Sequence, residues 1–275
     1  MSNHYLDLAI ETALEAGQIL REEFERPPDI AYKGDVDLVT QADKRSERAI
    51  VAKISQYFPD HSISAEEGLG HVRSREFLWH VDPLDGTTNF AHKYPCFSVS
   101  IALAQNGSVL TGVVYNPISN ELFAAALGEG ATRNGKKISV SQVATLSTSL
   151  LCTGFPVHQR RASNNIQYYY HFTLRSHGVR RDGSAALDLA SVACGRFDGF
   201  WEFGLNAWDT AAGVLLVREA GGAVSDFDQA DYILGGPVVL ATNSHIHEEM
   251  RKAALAISER EPNAPLESSL EANPQ

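Results

Sequence analysis

The segment that most constrains this chain is DPLDGTTNF, residues 82–90, where two carboxylates stand three positions apart before a Gly-Thr-Thr turn. The preceding apolar run Phe77–Val81 predicts a buried strand with Asp82 at its carboxyl end. Ligands of α/β proteins bind beyond the carboxyl ends of strands. Pro83 removes a backbone donor, and Gly86 permits a close approach of the main chain. Carboxylates beside backbone N–H groups therefore indicate a site that holds a divalent cation against a phosphate.

The length of 275 residues suits one large α/β domain over residues 1–260, made of two closely packed halves at about 1–145 and 146–260. No apolar run reaches the roughly 18 residues of a membrane-spanning helix, and the amino terminus lacks the basic and apolar regions of a signal peptide. These features predict a cytoplasmic protein without a membrane partner. Residues 261–275 contain few large apolar side chains, so we expect a disordered tail.

Charge and cysteine content exclude several classes of protein. The net charge is −11, from 34 acidic and 23 basic residues, and no long basic stripe is present, which argues against nucleic-acid binding. The three cysteines are too scattered for a disulfide framework, and the ten histidines show no HExxH spacing. An oxygen-liganded cation is therefore favoured over zinc.

Apolar periodicity alternates between helix and strand along the chain. Helical spacing predicts helices over residues 5–25, 41–57, 162–176, 184–194 and 208–220, and another from residue 244. Strands are predicted over residues 61–65, 77–81, 150–153, 178–181, 197–203 and 237–242. Between residues 97 and 140 the pattern is β-rich, and Asn106-Gly107 and Asn134-Gly135 predict hairpin turns. Ser184 is expected to cap its helix.

Acidic residues recur where predicted elements begin or end, at Asp43, Glu66-Glu67, Asp82 with Asp85, and Asp209. Most of these have an ordinary explanation as helix-dipole partners, caps or solvated turns. The Asp82 turn does not, because two carboxylates in apolar surroundings are costly unless they are paired or metal-bound.

Asp35-Val36-Asp37-Leu38-Val39 matches the nucleophile motif of haloacid-dehalogenase-type phosphatases. That chemistry needs a buried strand directly before the first aspartate. The preceding residues 30–34 are few and partly polar, which disfavours this reading.

The order of the motifs resembles the inositol monophosphatase family over roughly residues 5–255. The matching segments are Lys33, residues 37–40 (DLVT), Asp43, Glu66-Glu67, residues 82–88 (DPLDGTT), residues 183–202 (GSAALDLASVACGRFDGFWE) and residues 208–213 (WDTAAG). The resemblance implies an α/β (α+β) protein with a layered α/β/α/β/α sandwich, and a homodimer. It implies two or three Mg²⁺ ions, the first on Glu66, Asp82 and the Leu84 carbonyl, the second on Asp82, Asp85 and Asp209, and a weaker third near Glu66.

The same resemblance implies roles in catalysis. Thr87, paired with Asp43, would orient the attacking water near Glu66, and Lys33 would steady the carboxylate network. Substrate contacts are implied for Asp85, Gly86, Thr87, Thr88, Gly183, Ser184, Ala185, Glu202 and Asp209.

These features predict a lithium-sensitive phosphatase that hydrolyses the phosphate monoester of a polyol or sugar, with myo-inositol 1-phosphate favoured. Fructose 1,6-bisphosphate, histidinol phosphate and phosphoadenosine nucleotides stay open as substrates, because relatives that act on them share the same acidic motifs. A regulatory role through protein contacts also stays open.

Overall fold

The structure, a computed structural model, describes residues 2–26, 30–32, 38–74, 76–155, 165–228 and 231–258. The helices are α1 Ser2–Phe24, α2 Gln41–Tyr57, α3 Thr87–Ala91, α4 Asn165–Arg175, α5 Ala185–Ala193, α6 Ala207–Glu219 and α7 His247–Ser258. The strands are β1 Ile30–Tyr32, β2 Leu38–Thr40, β3 Ser62–Ala65, β4 Phe77–Asp85, β5 Ser98–Gln105, β6 Ser108–Asn116, β7 Glu121–Ala126, β8 Gly130–Arg133, β9 Lys136–Lys137, β10 Leu150–Thr153, β11 Gly178–Arg180, β12 Gly199–Phe203, β13 Ala223–Ser225 and β14 Val238–Thr242.

Two large sheets organise these elements. The first has seven strands in the order β3-β4-β5-β6-β7-β8-β9, parallel only between β3 and β4. The second has five strands in the order β11-β10-β12-β14-β13, with parallel pairing among β11, β10 and β12 and antiparallel pairing beyond β12. Strands β1 and β2 form a separate antiparallel pair.

Apolar side chains on alternating faces of both sheets produce five layers. Along β5, Ile101 packs toward α1 and α2, whereas Ala102 belongs to the central core with α5 and α6. Along β12, Phe200 faces the central core and Trp201 faces the outer core that contains α4 and α7. This alternation is the period-two geometry of strands. The expected α/β/α/β/α sandwich is confirmed.

Most predicted elements are present, with corrections at their ends. Helix α2 has the predicted bounds, and both Asn-Gly pairs lie in hairpin turns. The predicted strand 77–81 instead continues to Asp85, and α3 lies where the sequence indicated only a turn. Strand β13 was not predicted. Lys33, Asp35, Asp37 and the tail 261–275 lie outside the described residues.

None of the described helices has the length and apolarity needed to cross a membrane. Helix α6 is apolar around its circumference because it packs between the two sheets, where residues 210–217 are all buried.

Gly112 of β6 sets how closely α6 approaches the seven-stranded sheet. A Cβ added at Gly112 would lie 2.9 Å from both the Cα and the carbonyl oxygen of Ala212, which are backbone atoms that cannot rotate away. We expect Gly112→Ala to lower the free energy of unfolding by about 1–3 kcal/mol through overpacking. Urea denaturation measures the effect. Ser108→Ala, on the exposed end of the same strand, is the matched control, and equal midpoints for the two variants would contradict this packing.

Candidate active site

A bulge at the end of β4 turns two acidic side chains toward one side of the sheet. Asp82 pairs with Ser100 and Asp85 with Ser98, so three steps along β4 oppose two steps along β5. Side chains three residues apart on a regular strand would point to opposite faces. The extra residue, Pro83 or Leu84, removes this alternation, and both aspartates line the same cleft. The Asp82 carboxylate accepts the Leu84 N–H at 3.0 Å, which holds the bulge.

Gly86 directs the chain from β4 into α3. Its φ is +101°, and an added Cβ would approach the carbonyl oxygens of Cys96 and Gly183 at 3.0 and 3.2 Å. Glycine alone fits this backbone without strain. Asn89 then donates to the carbonyls of Cys96 and Asp182 at 2.7 and 2.8 Å. The loop that begins α5 is therefore fixed against α3.

Asp85 joins β4 to the first turn of α5. Its carboxylate accepts the Ser184 hydroxyl at 2.5 Å and the N–H groups of Ala185 and Ala186 at 3.2 and 2.8 Å. Ser184 occupies the N-cap position but forms no capping hydrogen bond with its side chain. The predicted N-cap position is therefore confirmed, but the carboxylate of a distant strand, and not the serine side chain, satisfies the first N–H groups of the helix.

Asp43 connects α2 to α3. It accepts the Thr40 N–H and hydroxyl at 2.7 and 2.6 Å, which completes a capping box at the start of α2. Its other oxygen lies 3.0 Å from the Thr87 hydroxyl, which donates to it. Asp43 is fully buried, and burial raises its pKa against the opposing effect of the threonine donors.

Glu47 of α2 stabilises the turn that carries Glu66 by accepting hydrogen bonds from its backbone. The fully buried Glu47 carboxylate accepts the N–H groups of Glu67 and Leu69, both at 2.6 Å. Ser46 donates to the Pro83 carbonyl at 2.9 Å. Consecutive residues of α2 thus position the Glu66 turn and the β4 bulge relative to each other.

Asp209 lies in the first turn of α6, as predicted, and completes a capping box with Asn206. Its carboxylate accepts the Asn206 N–H at 2.7 Å. Burial and then the charge of Asp85 raise the pKa of Asp209 to about 7, although the Asn206 donors lower it.

Glu202 of β12 is 5% exposed, and Gly154 leaves the space that its carboxyl occupies. A Cβ at Gly154 would overlap the Glu202 carboxyl group. Burial raises the pKa of Glu202 well above its usual range, the charges of Asp209 and Asp85 raise it further, and Arg181 opposes them.

The described site residues meet in a cleft of about 330 Å³. The predicted residues that line it are Glu66, Asp82, Leu84, Asp85, Gly86, Thr87, Thr88, Gly183, Ser184, Ala185, Glu202 and Asp209. Asp43 does not line the cleft but lies behind it, bonded to Thr87. Lys33 lies outside the described residues.

Several residues of the site have no role that the sequence predicted. Asp188 and Arg181 line the cleft, and Asn89 and Glu47 hold its loops. Asp188 stands inside residues 183–202, which resemble the family, but no role followed for its side chain. Their position at the cleft depends on contacts with residues that are distant in the sequence.

The cleft concentrates negative charge. Burial raises the pKa of Asp82 well above its usual range, and the neighbouring carboxyls of Glu66, Asp85 and Asp209 raise it further. Among the described residues, no Lys or Arg forms an ion pair with Asp82, Asp85 or Asp209. Buried carboxylates without a cation are unfavourable.

The donor set suits a hard cation in its chemistry. Carboxylates and a backbone carbonyl are the oxygen ligands that Mg²⁺ prefers, and they share one cleft. In their present arrangement, no three His, Cys, Asp or Glu side chains among the described residues form a ready-made metal site. Asp85 illustrates the reason, since its oxygens are directed toward Ser184 and the start of α5.

The chain is similar to known proteins in both sequence and fold. The sequence model described as the inositol monophosphatase family matches residues 1–261. The chain is 47% identical to an inositol-1-monophosphatase of Synechocystis sp., over 92% of this chain and 89% of that protein. It is 42% identical to a Nus factor SuhB of Pseudomonas aeruginosa, over 87% of this chain and 91% of that protein. The solved inositol monophosphatase of Anabaena (Nostoc) sp. PCC 7120 has a TM-score of 0.85 at 46% identity, covering 92% of this chain and 96% of that one.

Proposed function

Because this chain belongs to the inositol monophosphatase family, which supports phosphatase activity, we propose that it is a Mg²⁺-dependent hydrolase of phosphate monoesters. The proposed substrate is the monophosphate of a polyol or sugar, with myo-inositol 1-phosphate favoured. The single observation that carries the proposal is the set of four carboxyls, Glu66, Asp82, Asp85 and Asp209, that share one cleft with Thr87, whose hydroxyl donates to Asp43 behind the cleft.

The metal ligands in this proposal are the four carboxyls and the Leu84 carbonyl. Bound there, Mg²⁺ supplies Lewis acidity to the phosphate and to the attacking water. The raised pKa of Asp82 supports the assignment, since a nearby cation would offset the repulsion among these acids.

Thr87 orients the nucleophilic water. Its hydroxyl donates to Asp43 at 3.0 Å, so its oxygen lone pairs stay available to accept a hydrogen bond from water in the cleft. The Thr40 donors fix the Asp43 carboxylate and thereby the rotamer of Thr87. The backbone of Gly86, Thr87 and Thr88 then contacts the phosphate oxygens where charge develops.

Glu202, Ser184 and the backbone around Gly183 and Ala185 contact the leaving alcohol. Glu202 reaches into the cleft from β12, beside the space left by Gly154. A buried carboxyl accepts hydrogen bonds from substrate hydroxyls, which favours a polyol over a simple alkyl monoester.

Phosphate release from a substrate panel tests the proposal. The panel contains myo-inositol 1-phosphate, fructose 1,6-bisphosphate, histidinol phosphate and 3′-phosphoadenosine 5′-phosphate, each in Mg²⁺, in EDTA, and in Mg²⁺ with Li⁺. We expect release that depends on Mg²⁺, returns when Mg²⁺ replaces EDTA, and falls with Li⁺. Absence of release from every substrate in Mg²⁺ would refute the enzymatic role.

A regulatory role through protein contacts is the second candidate, favoured by the similarity to a protein named Nus factor SuhB. Affinity capture from cell extract, repeated with Asp82→Asn, tests it. A specific partner that binds the variant as strongly as the unmodified protein would support a role independent of catalysis, and no specific partner would oppose it.

A further inference from the structure

A second group of charged residues lies in the cleft beside the proposed metal site. The distal wall is our name for five residues that line this cleft, two of them in α5 and β12 and three in loops: Asp188, Glu202, Phe155, Arg181 and Leu205. Burial raises the pKa of both Asp82 and Asp188 well above the usual range. The charges of Glu66, Asp85 and Asp209 raise the pKa of Asp82 further, and those of Asp182, Glu202 and Asp85 raise that of Asp188. The distal wall therefore contains acids other than the proposed metal ligands, although Asp85 acts on Asp188 and both Asp85 and Asp209 act on Glu202.

Asp188 is the least satisfied member of the distal wall. It projects from the first turn of α5 and is 1% exposed, and its Oδ2 has no hydrogen-bond partner among the described residues. A buried carboxyl oxygen without a donor is unfavourable. No described contact within the fold accounts for a carboxyl at this buried position. A ligand in the cleft would account for it by donating a hydrogen bond to the unpaired oxygen.

Positive charge is scarce at this wall. Arg181 is the only Lys or Arg among the described residues that line the cleft. Its guanidinium lies over Gly183 and forms no ion pair with any described residue. Its charge acts on both Asp188 and Glu202, so one exposed cation faces two buried acids.

We infer that the distal wall selects an uncharged, hydroxyl-bearing leaving alcohol and disfavours a second phosphate. Asp188 is the specificity-determining residue that favours the alcohol, whereas the positive charge of Arg181 favours the second phosphate. This inference rests on the proposed phosphatase function. A substrate hydroxyl can donate a hydrogen bond to a carboxyl oxygen whether the carboxyl is ionised or protonated. A second phosphate would bring further negative charge toward two buried acids.

The test compares kcat/KM for myo-inositol 1-phosphate with that for fructose 1,6-bisphosphate. Asp188→Asn replaces the carboxyl by an amide of nearly the same shape, whose NH₂ group can donate to a second phosphate, so we expect the preference for the monophosphate to fall several-fold. Arg181→Gln removes the cation, so we expect the preference to rise several-fold. Arg180→Gln, an exposed arginine outside the cleft, is the matched control and should leave the preference unchanged.

Opposite signs for the two variants separate an electrostatic role from a structural one, because a damaged fold would lower activity on both substrates together. Arg181 is exposed, so its variant carries the test even if Asp188→Asn does not fold. Unchanged preference in both variants, or a change in the same direction, would overturn the inference while the wild-type protein still hydrolyses a monoester. A wild-type protein that releases phosphate from no substrate of the panel in Mg²⁺ would refute the proposed function instead.

Discussion

Asp82→Asn should reduce kcat by roughly 10³-fold or more while the protein stays folded. Asp82 is 2% exposed and has Glu66, Asp85 and Asp209 as its charged neighbours, so it occupies the centre of the proposed metal site. Asparagine keeps the shape and removes the charge that would bind Mg²⁺. A loss of several kcal/mol of transition-state stabilisation corresponds to this factor, at about 1.4 kcal/mol for each tenfold. Steady-state phosphate release in saturating Mg²⁺ measures it.

The same substitution should act differently on stability. Because the folded-state pKa of Asp82 is raised, its ionised form destabilises the metal-free fold at pH values above the ordinary aspartate pKa. Removal of the charge should therefore leave the free energy of unfolding in EDTA equal or higher. The wild-type protein should gain about 2.7 kcal/mol at Mg²⁺ concentrations of about 100 times Kd, and the variant should gain far less.

Asp198→Asn is the matched control for Asp82→Asn. Asp198 is another buried aspartate, outside the cleft, and it accepts the Leu150 N–H at 2.6 Å and the Ser141 hydroxyl. Its substitution should lower stability by about 1–3 kcal/mol and leave kcat nearly unchanged. Near-normal kcat in Asp82→Asn would show that the central ligand is wrongly assigned.

Thr87→Val should reduce kcat by roughly 10²–10³-fold with a small change in KM, because it removes the hydroxyl proposed to orient the attacking water. Valine has nearly the same shape, so the start of α3 is kept. Asp43 loses its Thr87 donor but retains both donors of Thr40, which limits the loss of stability to about 1 kcal/mol. Kinetics on the best panel substrate measure the effect.

Thr87→Ser provides the rescue. Serine restores the hydroxyl, so most of the lost kcat should return even though the methyl group is absent. If Thr87→Ser and Thr87→Val lose kcat equally, packing of the methyl group matters rather than the hydroxyl. If neither variant loses kcat, Thr87 does not orient the nucleophile.

Local sequence was sufficient for features that depend on neighbouring residues. Helix α2 has the predicted bounds because its apolar spacing, its capping box and the proline that follows are all local signals. The hairpin turns at Asn106-Gly107 and Asn134-Gly135 were predictable because a positive φ favours these residue types. The order of acidic motifs also indicated the family, since it is a property of the chain alone.

Predictions from local sequence failed where a residue from a distant element makes the hydrogen bonds that a nearby residue was expected to make. Ser184 has the residue type of a helix cap, yet Asp85, about a hundred positions earlier, satisfies α5 and takes the serine hydroxyl as well. The extension of β4 to Asp85 depends on pairing with Ser98 across a bulge. Neither contact leaves a periodic trace in the sequence.

The sequence by itself determined which carboxylates and backbone turns this protein has and in what order, because propensity, capping and turn chemistry act over a few residues. The tertiary structure alone decided that Asp43 supports Thr87, that Gly154 makes room for Glu202, and that Asp188 and Arg181 border the same cleft. These relations arise from packing between elements far apart in the chain, where burial and charge depend on the complete set of neighbours.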